Sequence, residues 1–200
     1  MTATLLGVAI GSASPNAAEM PKLVAACASC HGTKGEGNEA RSAPALAGLD
    51  TAYLERQLTL FAEGKRGTHA ADKFGSQMAV IAQSLKDEDI DMIVRHYAKL
   101  RSTTSHVTIS GDAAKGKAAY QNCAACHGEE GRGNPETSVP ALIGQPDWYI
   151  VQSLLTYKAG GKGYHADDAT GQQMQQAAQM VASEKEAQDI ASYINSLSSN

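Results

Sequence analysis

The sequence predicts an all-α protein built from two tandem domains related by internal duplication. Three observations support this: the second half repeats the first at a fixed spacing, apolar residues recur at helical intervals, and no stretch alternates as a β-strand does. The chain has 200 residues, enough for two small domains. We predict a leader over 1–18, domains over 19–100 and 113–200, and a Ser/Thr-rich linker over 101–112.

The repeat has a spacing of 96 residues and needs no gap. CASCHGTKGEGN at Cys27–Asn38 corresponds to CAACHGEEGRGN at Cys123–Asn134, and PALAG at Pro44 corresponds to PALIG at Pro140. One repetition of this length indicates two domains that each bury a core, rather than a solenoid of short stacked units. The further matched pairs are Tyr53 with Tyr149, Gly64 with Gly160, Gly67 with Gly163, His69 with His165, Asp72 with Asp168, Met78 with Met174, and Tyr97 with Tyr193.

The sequence predicts three helices in each half. DEDIDMIVRHYAKL spaces its apolar residues by three or four positions, with acidic residues first and basic residues last, as the helix dipole favours. Another helix follows Tyr53 and ends at Gly64, and AAKGKAAYQN forms one before Cys123. Glycine-rich loops join the helices, and the loop GKRGTHAADKFGSQM and its counterpart in the second half carry Met78 and Met174. The terminal stripes are Ile90, Ile93, Val94, Tyr97 and Leu100 in the first half and Ala187, Ile190, Tyr193, Ile194 and Leu197 in the second.

Charge and hydropathy narrow the classes of function. The formal net charge is −4, which argues against a nucleic-acid surface. Residues 1–18 resemble the later part of a secretory signal peptide, an apolar run followed by small residues, although a weakly helical tail is an alternative. No other stretch is long and apolar enough to span a bilayer. We therefore expect a bacterial periplasmic protein without a transmembrane span in its mature form, associated with a membrane at most through a partner.

Each half contains one C-x-x-C-H motif, and together the motifs use all four cysteines. Structural zinc would need four ligands per site, a thioredoxin-like pair would need a βαβ context, and a disulfide in so short a loop would be strained. C-x-x-C-H is instead the attachment pattern of c-type haem, in which two thiols form thioethers and the histidine binds the iron. We predict that Cys27, Cys30 and His31 hold one haem and that Cys123, Cys126 and His127 hold a second.

The repeat also selects candidates for the sixth iron ligand among six methionines. Only Met78 and Met174 correspond to each other, each 47 residues after its motif histidine and each in a Gly-x-Gln-Met context. A single methionine usually fills a gap in a core, but a matched pair at this spacing favours ligation of iron. Met180 is the fallback ligand in the second half.

His69 and His165 also correspond across the repeat and leave two hypotheses open. They could replace the methionines and give bis-histidine haems of lower potential. The hypothesis that we favour places them in polar loops at the haem edge, bonded to a propionate or to Asp72 and Asp168.

Pro44 and Pro140 begin the PAL-x-G turns. A proline carbonyl can accept a hydrogen bond from the Nδ1–H of the motif histidine, which fixes the tautomer and makes the imidazole a more basic ligand. A rigid turn is the simpler role, and the two roles are compatible.

These motifs resemble those of class I cytochromes c, arranged in tandem as in the di-haem cytochrome c4 family. The resemblance rests on the C-x-x-C-H motifs, the P-x-L-x-G loops, the paired methionines and the aromatic-bearing terminal helices, and it covers nearly everything after the leader. It implies two class I cytochrome c domains that meet near their haem edges and carry two covalent haem c groups. One departure is Met20, which stands where the second half has Gly116.

The resemblance implies a non-enzymatic carrier that moves single electrons between respiratory donors and a terminal oxidase or reductase. Its partners would be redox proteins that dock transiently, with apolar residues around PAL forming part of the contact. The second half has Trp148 where the first half has Ala52, and this difference would give the two haems unequal reduction potentials. The alternatives are a fixed subunit of an oxidase or dehydrogenase complex and a di-haem peroxidase-type enzyme, which would need an open distal site.

Overall fold

Both halves of the computed structural model, which describes residues 15–101 and 107–197, are helical. The first half contains α1 Pro15–His31, α2 Thr51–Ala62, α3 Gly75–Ala82 and α4 Asp87–Ala98. The second contains α5 Ala113–His127, α6 Asp147–Lys158, α7 Ala169–Ala178 and α8 Glu184–Leu197. A short 3-10 turn follows the motif in each half, at Glu39–Arg41 and Pro135–Thr137. The described residues form no strand, which confirms the predicted all-α class.

Two predicted segments fall partly outside the described residues. Of the leader over 1–18 the structure describes only the start of α1, from Pro15. Of the linker over 101–112 it omits residues 102–106. None of the helices in the described ranges is long and apolar enough to cross a membrane.

The predicted apolar stripes form the two cores. Tyr97 on α4 and Ile194 on α8 are almost completely buried. In each core, the terminal helix packs against parts of the other helices of its half. The helix predicted to follow Tyr53 begins earlier, at Thr51, and ends at Ala62; Gly64, just after its cap, has the left-handed conformation that glycine tolerates. The buried core residues are Leu49, Leu54, Ile90, Ile93, Val94 and Tyr97 in the first half and Tyr120, Ile150, Val151, Leu154, Val181, Ala187, Ile190, Ala191 and Ile194 in the second.

Helices α3 and α7 correct the sequence prediction, which left Met78 and Met174 in a loop. Both helices are short, so their apolar residues do not repeat often enough to show a helical period. Each begins where a buried aspartate accepts a hydrogen bond from a glycine N–H: Asp72 from Gly75 at 3.1 Å, and Asp168 from Gly171 at 3.0 Å. A Cβ on either glycine would lie about 2 Å from that carboxylate, so a larger residue would displace the aspartate.

Close helix packing in the second half depends on Gly116. A Cβ at this position of α5 would lie 1.9 Å from the backbone oxygen of Asp189 on α8. The glycine therefore lets the two helix backbones approach each other. The first half has Met20 at the corresponding position of α1.

Asp147 fastens the end of the linker to the second half. Its side chain is fully buried at the start of α6 and accepts hydrogen bonds from Thr108 N, Thr108 Oγ1 and Ile109 N, all within 2.8 Å. It also accepts one from the N–H of Trp148 at 2.7 Å. The corresponding residue of the first half is Thr51, so only the second half has this carboxylate to bind the preceding segment.

We expect Asp147→Ala to lower the free energy of unfolding by about 3 kcal/mol, because it leaves several donors without their charged acceptor. Urea unfolding followed by circular dichroism measures the change. Asp112→Ala is the matched control, since Asp112 caps α5 from a more exposed position and its loss should cost about 1 kcal/mol. Equal losses for the two variants would contradict this role of Asp147.

Candidate haem sites

Both C-x-x-C-H motifs lie on the last turn of a helix that ends at the motif histidine. Spacings of three and four residues place the two cysteines and the histidine on one helical face. The four cysteines form no disulfide, and none is buried completely. Each motif can therefore present two sulfurs and one imidazole to the edge and face of a single planar ligand.

The alternative of structural zinc finds no support in the described residues. They contain no group of three His, Cys, Asp or Glu side chains that could enclose a metal ion. Burial also raises the pKa of the Cys27 and Cys123 thiols, which disfavours the thiolate that zinc requires.

The two motif histidines have the same environment. His31 Nδ1 lies 2.8 Å from the carbonyl oxygen of Pro44, and His127 Nδ1 lies 3.0 Å from that of Pro140. A carbonyl can only accept, so Nδ1 carries the proton and Nε2 keeps a free lone pair. Burial lowers the pKa of both imidazoles, against a smaller opposite effect of the proline carbonyls. Both rings are therefore neutral at pH 7, in the form that binds a metal.

Glycines with left-handed backbone conformation let the loop after each motif fold back toward the motif histidine. Gly37 has φ 89° and Gly133 has φ 73°, and their N–H groups donate to the carbonyls of His31 and His127 at 2.8 and 2.9 Å. A Cβ on Gly37 would lie 2.9 Å from Ala45 N, within the PAL segment. The loop is thus held tightly enough to bring the proline carbonyl to the imidazole.

The structure places both predicted methionine ligands on corresponding helices. Met78 on α3 packs beside Phe61, and Met174 on α7 packs against the core of the second half, both partly buried. Met180 is more than half exposed beyond the end of α7. Met92 lies within α4.

His69 and His165 occupy surface loops, and their predicted aspartate partners do something else. The Nδ1 atoms accept from the N–H groups of Ala71 and Asp167 at 3.2 Å. Asp72 and Asp168 start α3 and α7 instead, as described above. The predicted side-chain bonds from these histidines to Asp72 and Asp168 do not form, and their bond to a propionate stays a prediction.

The apolar residues around PAL are also less available than we expected. Ala45 and Ala47 in the first half are buried, and Pro140 and its neighbours in the second are partly buried. Ala45 contacts the other half, since its carbonyl accepts from Gln145 Nε2 at 2.9 Å. These loops therefore help to join the halves. The exposed large apolar side chains among the described residues are Phe74, Val80, Ile81, Val107 and Met180.

Sequence analysis missed a layer of cations and tyrosines between the halves. Lys162 is almost completely buried; its Nζ donates to Ser153 Oγ at 3.0 Å and lies 4.9 Å from the centre of the Tyr149 ring. Arg66 lies over the Phe61 ring at 4.3 Å, and its Nε is 4.0 Å from Asp72 Oδ2. Arg66 and Lys162 correspond in the repeat, and this matched basic position was the signal that could have revealed them.

The charges of this layer shift its titratable groups. Burial raises the pKa of Tyr157 to about 12. Burial also acts to raise the pKa of Tyr149, but the nearby Lys162 and Arg66 outweigh it and lower that pKa. Burial lowers the pKa of Lys162 itself, partly offset by Tyr149. Arg66 and Lys162 therefore favour negative charge beside them.

Polar contacts around this layer hold the halves together. Arg56 donates to Thr170 Oγ1 and, at 3.4 Å, to the carbonyl of Ser138. The hydroxyls of Thr68 and Tyr164 lie 2.7 Å apart. Lys65 also forms an ion pair with Asp167 across the halves, at 2.6 Å.

The donor set fits one haem in each half. A haem c needs two thiols, a neutral imidazole with its Nε2 free, and partners for two propionate carboxylates. The motifs provide the first two. Arg56 and Arg66 provide the third, since the Nε atoms of both are buried without a hydrogen-bond partner.

Known proteins share this arrangement. A profile of the cytochrome c family matches residues 17–100 and again 113–198. The thiosulfate dehydrogenase electron acceptor of Thiomonas intermedia is 31% identical over 171 residues, covering 78% of this chain and 74% of its own. The structure of cytochrome c4 from Acidithiobacillus ferrooxidans superposes with a TM-score of 0.71 at 27% identity, over 86% of this chain and 98% of the other.

A third similar protein is the thiosulfate dehydrogenase TsdBA from Marichromatium purpuratum, with a TM-score of 0.66 at 28% identity, over 84% of this chain and 36% of the longer one. Matches to both halves show that the chain has two cytochrome c domains, and such domains carry covalently bound haem c. The chain therefore belongs to the cytochrome c family, as a tandem di-haem cytochrome of the cytochrome c4 kind whose role is electron transfer.

Proposed function

We propose that the chain carries single electrons through two haems ligated by histidine and methionine. The observation that carries this proposal is the matched geometry of the halves: a neutral, buried histidine held by a proline carbonyl, and a methionine on the corresponding short helix. Cys27, Cys30, Cys123 and Cys126 would anchor the haems, His31 and His127 would be the proximal ligands, and Met78 and Met174 the distal ligands.

Each haem, when bound, supplies an iron that cycles between the ferrous and ferric states. The residues of the chain set how easily it does so. The proline carbonyls make the imidazoles stronger ligands, and thioether ligands favour the ferrous state over a second imidazole. Arg66 and Lys162 would face the propionates and oppose the extra positive charge of the ferric state, which raises the reduction potential.

The partner that we propose as electron donor is a thiosulfate-oxidising dehydrogenase, and the acceptor is a terminal oxidase or reductase. The donor is suggested by the name of the Thiomonas relative. We propose a periplasmic location, supported by the signal-like leader and the bacterial origin of the relatives. The alternative is a fixed subunit of a larger complex, which the similarity to part of the longer TsdBA chain favours.

A pyridine haemochrome assay should find two c-type haems per chain. The double variant Cys27→Ser with Cys30→Ser should retain one haem, since each motif attaches its own. The corresponding variant at Cys123 and Cys126 is the matched test. A wild-type value of one haem per chain, or none, would contradict the attachment at both motifs.

The oxidised protein should show the sulfur-to-iron charge-transfer band of methionine ligation. Met78→Ala and Met174→Ala should each remove about half of its intensity, because each would remove one of two sulfur ligands. Met92→Ala and Met180→Ala are the controls and should leave the band unchanged. Absence of the band in the wild type would favour ligation by His69 and His165.

Removal of a buried cation should lower a reduction potential. We expect Lys162→Met to lower the potential of one haem by tens of millivolts, where about 59 mV corresponds to a tenfold change for one electron. Lys162→Arg should restore most of the loss, and Lys115→Met, on the exposed surface of α5, should have little effect. A spectroelectrochemical titration measures both potentials, and an unchanged potential in Lys162→Met would refute this role.

A further inference from the structure

Gln145 of the second half contacts the loop that holds the motif histidine of the first half. Its Nε2 donates to the carbonyl oxygen of Ala45 at 2.9 Å, and both residues are buried. Ala45 directly follows Pro44, whose carbonyl oxygen lies 2.8 Å from His31 Nδ1. The two carbonyls are consecutive along the chain, so a side chain of one half is bonded next to the group that orients the imidazole of the other.

The position of Gln145 is fixed within its own half. The residue ends the PALIGQ segment, and its backbone N–H donates to the carbonyl of Leu142 at 3.2 Å. The N–H of Leu142 in turn donates to the carbonyl of Gly131 at 2.7 Å, in the loop that follows the C-x-x-C-H motif. The amide therefore extends from a loop that its own backbone hydrogen bonds hold, and it can support the loop opposite.

The corresponding positions of the repeat do not form this contact. Gln145 corresponds to Leu49, an apolar residue that packs in the core of the first half and has no donor in its side chain. Ala45 is 1% exposed, whereas its counterpart Ala141 is partly exposed. This contact therefore runs in one direction, from the second half to the loop of the first.

A weaker contact runs the other way. Arg56 of the first half donates to the carbonyl of Ser138 at 3.4 Å, and Ser138 lies two residues before Pro140. Arg56 also donates to Thr170 Oγ1, so its position does not depend on that carbonyl alone. We therefore expect the motif histidine of the second half to depend less on the other half than the motif histidine of the first does.

The packing of the halves does not by itself explain an amide at this position. Gln145 Nε2 has its partner, but Oε1 is buried and has none within the part of the chain that the structure describes. A buried polar atom without a hydrogen bond lowers stability, and an apolar side chain such as Leu49 avoids that loss. The hydrogen bond to Ala45 is what an apolar side chain could not make.

We propose that Gln145 is a positioning residue for the haem of the first half: it holds Ala45, and thereby keeps the carbonyl of Pro44 where it accepts the Nδ1–H of His31. This inference rests on the proposed function, in which His31 is the proximal ligand. A well-oriented bond at Nδ1 makes the imidazole a more basic ligand, which stabilises ferric iron and lowers the reduction potential. The potential of the first haem therefore depends on a residue of the other half.

The test uses the full chain with both haems and the variant Gln145→Met, which nearly keeps the size of the side chain and removes its donor. In the reduced, diamagnetic protein, NMR with isotope-labelled histidine follows the Nδ1–H protons of His31 and His127. The proton of His31 should exchange with solvent about fivefold faster or more, because the hydrogen bond that protects it opens more often. The proton of His127 should keep its wild-type rate. Gln145→Leu, which copies the first half, should give the same result.

A spectroelectrochemical titration gives the second readout. Gln145→Met should raise the potential of the haem that Met78→Ala also changes, because a weaker bond at His31 makes the imidazole a poorer ligand for ferric iron. The other potential should stay unchanged. Tyr164→Phe is the matched control, since it removes another hydrogen bond between the halves, that of Tyr164 with Thr68 at 2.7 Å, in the loops that follow α2 and α6. It should change neither the exchange rates nor the potentials.

An unchanged exchange rate at His31 in both Gln145 variants, or an unchanged pair of potentials, would overturn the proposal. So would equal acceleration at His31 and His127, or an equal effect of Tyr164→Phe, because either result would mean a general loosening of the halves. Loss of a haem from both Gln145 variants would also overturn it, since a positioning residue is not needed for attachment. The proposed function fails separately, through missing haems or a missing methionine band in the wild type.

Discussion

The hydrogen bond between a buried imidazole and a proline carbonyl is the constraint around which each half is organised. It forms in both halves with nearly the same length, between residues thirteen positions apart in the chain. The bond requires that the loop leave the helix end and return at once, and glycines such as Gly37 and Gly133 make that return possible. It also determines which ring nitrogen keeps its lone pair. The end of the motif helix, the path of the following loop and the choice of the metal-binding nitrogen are therefore all linked to this hydrogen bond.

The duplication explains how much of this could be predicted from the sequence. A comparison of the halves identified the motifs, the PAL turns, the paired methionines and the terminal helices, because each is needed twice and therefore appears twice. Helices α3 and α7 were missed because a helix of eight or ten residues shows too little periodicity, and because the aspartates that start them looked like loop residues. Burial of Ala45 could not be predicted, since it depends on how the halves meet. The match between Arg66 and Lys162 was visible in the sequence, but the burial of Lys162 was not, because lysines are mostly exposed.

Differences between corresponding positions show where the halves have separate tasks. Arg66 and Lys162 keep a positive charge between the halves but differ in their partners, one near a carboxylate and the other among hydroxyls and rings. A guanidinium and an ammonium are not equivalent in such places, because the first is planar and the second is a compact charge. Gly116 permits tight helix packing in the second half, whereas the first half has a methionine there. The scaffold is common, and the individual properties come from a few side chains.

The fastening of Thr108 and Ile109 by Asp147 has a consequence for the entropy of the whole chain. These hydrogen bonds attach Thr108 and Ile109 to the second half. Fewer residues therefore connect the two halves than the predicted linker over 101–112 contains. A shorter connection raises the effective concentration of one body around the other and reduces the entropy lost when they meet. Contacts such as Gln145 with Ala45 and Thr68 with Tyr164, each modest alone, can then keep the halves in register. The geometry between the two electron-carrying centres thus depends partly on a carboxylate that touches neither of them.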